Sequence, residues 1–139
     1  MSTCDEHLVL SMAAMPNSSR YLTGGRDGIV RVWGLHDGNL QNAHPGLHRW
    51  YTTKVYESDN SYNFYEVSAL VALPDDRRAL AGWSNGNIAL FNVDNGAVLN
   101  TFTHHTESVR CLAVRPDGRR FVSGSDDTTA RIVEIPSEE

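Results

Sequence analysis

Apolar and β-compatible residues in this chain fall into short runs, each closed by a cluster of turn-forming residues. In the last third, Val109 to Arg115, Phe121 to Ser125 and Ala130 to Ile135 read as three strands. Pro116-Asp117-Gly118 joins the first two. Proline pre-sets φ there, aspartate bonds its own backbone, and glycine takes positive φ cheaply. Asp126 to Thr129 makes the second tight turn, so the three strands form an antiparallel meander. No part of it has the length and period of a dominant helix.

The pattern recurs upstream. Pro116 lies 42 residues after Pro74 and 100 after Pro16. At those offsets, without gaps, Ser123-Gly124 falls on Ala81-Gly82 and on Thr23-Gly24. Asp127 falls on Asn85 and Asp27, and Val133 on Phe91 and Trp33. Repeat one then holds strands over Leu8 to Met15, Tyr21 to Gly25 and Ile29 to Leu35. Repeat two holds Val67 to Leu73, Ala79 to Trp83, Ile88 to Val93 and Ala97 to Thr103. A period near 40 residues with four short strands per unit is the signature of a propeller blade. About 16 extra residues separate repeats one and two. Repeat one's fourth strand is expected within His48 to Tyr56, followed by an inserted loop over 57–66.

On these residues the chain resembles WD-repeat β-propeller proteins. Asp27-Gly28 with Val30-Arg31-Val32-Trp33 carries the likeness, as does His105 followed by Ser123-Gly124-Ser125-Asp126-Asp127 and Ala130-Arg131-Ile132. The resemblance implies a structural hydrogen-bonded set in each blade: His before the first strand, Ser or Thr on the second, Asp in the next turn and Trp on the third. Repeat three supplies His105, Ser123 and Asp127, with Val133 in place of Trp. Repeat one supplies Thr23, Asp27 and Trp33, with Asp5 in place of His and His7 two places off register. Repeat two has Asn63, Ala81, Asn85 and Phe91 there, and no repeat keeps a literal Trp-Asp.

The expected fold is all-β: antiparallel four-stranded blades of a WD-repeat-like propeller, about three of them, in an incomplete ring. Its units are a loose segment 1–7, repeat one at 8–56, the loop 57–66, repeat two at 67–103, repeat three at 104–135 without its own fourth strand, and a tail 136–139. Closed propellers use about 4–8 blades. Three leave two faces open, and the apolar runs LSMAAM and VSALVAL make such faces adhesive. The expected remedy is self-association as a dimer or ring, or completion by blades from another chain.

The 139 residues suit one domain with a workable core, 40% of them hydrophobic and 21% charged. No apolar run approaches the length of a membrane span, and the N-terminus lacks the pattern of a secretion signal. Cys4 near a terminus and Cys111 in a strand read as buried argue against a disulfide. A reducing, cytoplasmic setting follows, with the nucleus open as well. A net charge of −5 argues against a strongly polycationic nucleic-acid binder.

Candidate chemistry is sparse. His104-His105 near Glu107 and Asp126-Asp127 lack the convergence a metal site needs, and His36, His44 and His48 lack paired ligand spacing. Gly24-Gly25-Arg26-Asp27-Gly28 precedes a strand rather than the helix a phosphate loop requires. Ser123 is no nucleophile elbow. The reading is therefore no enzyme, no metal and no cofactor. The segment 40–66 holds Trp50, Tyr51, Tyr56, Tyr62, Phe64 and Tyr65, half of the twelve aromatics. They read either as edge packing or, with Arg49, as a partner-binding ridge. Arg26, Trp83, Ser84 and Arg110 are further docking candidates on the loops at one end of the strands. Arg20, Arg77-Arg78 and Arg119-Arg120 recur in the opposite turns. With Asp75, Asp76 and Asp117 beside them, they read as a mixed solvated rim, or as a rim for acidic or phosphorylated groups. The function expected is a non-catalytic protein–protein interaction scaffold, the alternative an assembly subunit completed by other blades.

Overall fold

The computed structural model describes residues 9–34, 36–44, 52–56 and 61–137. Their regular structure is entirely strand. The first blade is β1 (Val9–Ala14), β2 (Arg20–Gly25), β3 (Val30–Gly34) and β4 (Leu40–His44), hydrogen-bonded in that order. A two-stranded hairpin follows, β5 (Thr52–Tyr56) with β6 (Ser61–Phe64). The second blade is β7 (Val67–Ala72), β8 (Arg78–Trp83), β9 (Ile88–Asn92) and β10 (Val98–Phe102). The third is β11 (Val109–Val114), β12 (Arg120–Ser125) and β13 (Ala130–Glu134). All pairings are antiparallel.

Short polar side chains make the turns. Asp75 Oδ1 accepts the amides of Arg77 and Arg78, and Asp117 Oδ1 that of Arg119. Between the second and third strands, Asp27, Asn85 and Asp127 each accept the amide two residues on, at 2.9–3.1 Å. Asp37 and Asn95 do the same before the fourth strands, at 2.8 Å. An Asx side chain that closes its own turn specifies a tight reversal locally, which is why the repeat survives with so little sequence identity. Each first strand also carries a bulge at one register, between Val9 and Ser11, Val67 and Ala69, and Val109 and Cys111.

The sequence placed repeat one's outer strand within His48 to Tyr56; the structure places it at Leu40–His44. The Asp37-Gly38 turn, with Gly38 at φ 68°, sends the chain straight back. The His44 ring then donates to Val93 O at 2.6 Å, and Asn42 Nδ2 to Asp94 O at 2.9 Å, tying this strand to the second blade. Thr52–Tyr56 pairs instead with Ser61–Phe64, so the insertion is partly a hairpin rather than a loop over 57–66.

The sheets stack face to face, β7 packing between β1 and β11. Leu22, Val30 and Val32 of the first blade meet Val67, Ala81, Trp83 and Phe91 of the second in one apolar layer. Leu80, Ile88 and Leu90 meet Val109, Phe121 and Ile135 of the third in another. Glycine is required where blades touch. A Cβ at Gly24 would stand 2.6 Å from Val67 Cβ, and one at Gly82 would stand 2.7 Å from Val109 Cγ1. The second blade is covered on both faces, and every residue of β8 is buried.

One turn is strained. Thr128 sits at φ 72°, where the other two blades use Gly28 and Gly86. The left-handed region costs a β-branched residue roughly 1–2 kcal/mol, of which glycine's extra freedom in the unfolded chain returns about half. Thr128→Gly is therefore expected to raise stability by about 1 kcal/mol or less, seen as a higher urea midpoint at unchanged slope. A lower midpoint would contradict the strain.

Candidate docking rim and the polar set beneath it

In the third blade the His105 ring is buried, with Nδ1 2.8 Å from Asp127 Oδ2 and Nε2 2.7 Å from Ser123 Oγ. A carboxylate only accepts, so Nδ1–H donates to it, and the serine hydroxyl supplies what Nε2 lacks. Thr129 Oγ1 donates to Asp127 Oδ1 at 2.5 Å, and the Thr106 amide to Oδ2 at 3.1 Å. The Thr129 hydroxyl foremost, then His105 and the amides of Thr129 and Thr106, hold the Asp127 carboxyl far below its ordinary 3.8. In the first blade Trp33 Nε1 donates to Thr23 Oγ1 at 2.8 Å, while Asp27 is engaged by Arg31 Nη2 at 2.8 Å. Asp5 and His7 lie outside the described residues. In the second blade Ala81 and Phe91 are buried in the apolar layer, so packing stands where the other blades have hydrogen bonds.

Because its folded-state pKa is depressed, Asp127 stabilises the fold above about pH 4 and loses that contribution as the pH falls further. Asp127→Asn has no proton to take up at this site. Its stability should therefore fall less steeply than the wild type's between about pH 4 and pH 2 in a pH series of thermal melts. Parallel slopes would mean the carboxylate is not held as described.

The loops at this same end of the second strands form a charged rim across all three blades. Arg26 Nε lies 3.6 Å from Glu66 Oε1, and the Glu66 carboxylate also acts on Arg110. Arg110 makes a two-pronged pair with Asp126, at 2.9 and 2.6 Å. That guanidinium pulls the Asp126 carboxyl down. Beneath the rim, Ser84 Oγ accepts the Glu66 amide and Ser84 N–H donates to Glu66 O, both at 2.9 Å. Arg26 and Arg110 are thus exposed but already paired with acids. Tyr65 is half-buried against the apolar layer between blades one and two. Tyr62 and Phe64 belong to β6. Arg49, Trp50 and Tyr51 lie outside the described residues.

Three expectations need correction. Trp83 is no docking residue: it is fully buried between the first two blades. Cys111 is exposed, because the face of β11 that carries it has no neighbouring blade. The arginines of the opposite turns are likewise not a uniformly solvated rim. Arg20 reaches into the second blade, to Asp94 Oδ1 at 2.7 Å and Asp76 O at 3.2 Å. Arg78 pairs with Asp75 at 2.6 Å and reaches Pro136 O of the third blade at 3.1 Å. Both lie four residues after the repeat proline, a spacing visible in the sequence. Among the described residues no group of three or more His, Cys, Asp or Glu could hold a metal ion, and no helix is long and apolar enough to cross a membrane.

A family model described as "WD domain, G-beta repeat" matches residues 1–34 and 96–134, and one described as "Anaphase-promoting complex subunit 4 WD40 domain" matches residues 40–113. Protein groucho of Drosophila melanogaster is 24% identical over 132 residues, which is 91% of this chain and 15% of that protein. Transcription factor unc-37 of Caenorhabditis elegans is 24% identical over 126 residues, 91% of this chain and 18% of that protein. Eukaryotic translation initiation factor 3 subunit I of Drosophila virilis is 32% identical over 73 residues, 52% of this chain and 23% of that protein. The chain therefore spans less than a quarter of the length of these relatives. With its blades, its turn chemistry and these matches in agreement, the chain belongs to the WD-repeat family.

Proposed function

We propose that this chain is a non-catalytic protein–protein interaction scaffold that presents partners with the rim formed by Arg26, Glu66, Arg110 and Asp126 together with the 44–66 insertion. The observation that carries the reading is the division of labour among its polar groups. Buried ones such as His105, Ser123 and Thr23 are spent on tying strands together. Among the exposed ones, Arg26, Glu66, Arg110 and Asp126 alternate in sign along one rim across three blades. A surface of paired charges beside an aromatic-rich insertion suits a protein partner better than a polyanion. We place this activity in the cytoplasm or nucleus, since a chain with two cysteines, one of them an exposed thiol, suits a reducing compartment.

Photo-crosslinking tests it. An aryl ketone side chain at positions 26, 62 and 110 should capture one and the same protein, while the same group at Asn95 should not. Capture that is absent, or equal from every position, would overturn the docking rim.

A second reading is favoured by the exposed apolar residues on the outermost sheets, Met12 at 63% and Ile132 at 73%. On it, the chain is an assembly subunit whose stack of blades is continued by self-association.

A further inference from the structure

The two outer faces of the stack carry the repeat positions that the chain already packs together twice, between its successive blades. Where blade one meets blade two, Leu22, Gly24 and Val32 receive Val67 and its neighbours. Where blade two meets blade three, Leu80, Gly82 and Leu90 occupy the same repeat positions and receive Val109. Blade three carries the third set, Val122, Gly124 and Ile132, and here Val122 and Ile132 are 41% and 73% exposed. A Cβ at Gly124 would meet only Cys111 Sγ of its own blade within 4 Å, with no valine of a following blade.

The missing half lies on the opposite side of the same chain. Val9 stands at the repeat position of Val67 and Val109, and Met12 at that of Leu70 and Leu112. Val67 and Val109 are fully buried, whereas Val9 and Met12 are 44% and 63% exposed. Met12, Ala13, Ala14 and Tyr21 line an open cavity of about 480 Å³ on this side of blade one. The polar staple repeats as well. Arg20 and Arg78 each reach across to the residue twenty places after the next blade's proline, Asp94 and Pro136 respectively. Arg120, next in that series, is 51% exposed and among the described residues pairs weakly, at 3.4 Å, with Glu134 of its own blade. The matching position on blade one is His36.

We infer that a second copy of this chain docks blade one onto blade three of the first, using Val9 against Gly124, Met12 near the Val122 face, and Arg120 at the turn holding His36. The inference rests on the assembly reading above. The contact is head to tail and uses two different surfaces, so two copies close it by making it twice, as a six-bladed ring within the usual range of blade number.

Sedimentation velocity tests the surface directly. The wild-type chain should run at twice 15.4 kDa. Ile132→Asp and Met12→Asp each alter an exposed side chain, so far-UV circular dichroism should be unchanged while each variant runs at the mass of one chain. An equimolar mixture of the two variants should regain a two-chain species, because one joint then has both wild-type surfaces. A folded wild-type monomer would overturn both this interface and the self-association reading. A two-chain species that survives both substitutions, or a mixture that stays monomeric, would overturn the head-to-tail interface alone. A ladder of higher masses would overturn closure at two copies.

Discussion

Replacing Trp83 with alanine is expected to cost about 3–5 kcal/mol of folding stability. Trp83 ends β8, pairs across the ladder with Val67, and is fully enclosed by the apolar layer between blades one and two. The loss combines the transfer of a large aromatic surface with a cavity that two stacked sheets cannot easily close. Against a total of about 5–15 kcal/mol for an ordinary domain, that is a large share. A urea titration reads it. Were Trp83 an exposed docking residue instead, alanine would shift stability by no more than about 0.5 kcal/mol.

Trp33→Ala is expected to be of similar size, about 3–5 kcal/mol, for a different reason. The Trp33 ring is 5% exposed, stacks on Tyr21 with centroids 6.3 Å apart, and donates its N–H to Thr23, which is itself buried. Trp33→Phe separates the contributions. It keeps most of the apolar area but leaves the Thr23 hydroxyl without its donor, so about 1–2 kcal/mol should be lost. A phenylalanine variant as unstable as the alanine one would place the whole effect in the hydrogen bond. An unaffected one would place it in packing.

The strands were readable because each blade repeats its turn chemistry at constant distance from a proline, and Asx side chains act locally. The first blade's outer strand escaped because aromatics between His48 and Tyr56 draw attention by β-propensity. Yet Leu40 stands as far from Pro16 as Val98 does from Pro74, and register alone locates it. Trp83 and Cys111 were misread for a common physical reason. Exposure in a stack of sheets depends on which blade lies alongside, and residue type does not record that. Trp83 sits near a loop but between two blades, whereas Cys111 sits within a strand on a face with no neighbour. The arginine staples show the same limit: turns rich in Arg and Asp look solvated until the adjoining blade is set beside them.

The fold rests on three sheets stacked as successive blades, the second covered on both faces. Peptide-resolved hydrogen exchange tests it most directly, in the Met12→Asp/Ile132→Asp double variant so that copies cannot cover each other. Amides of β8 should exchange slowest, near the global unfolding rate, and those of β12, equally paired on both sides but in the blade with one open face, should exchange faster. Protection of β12 equal to that of β8 would contradict the stacked arrangement.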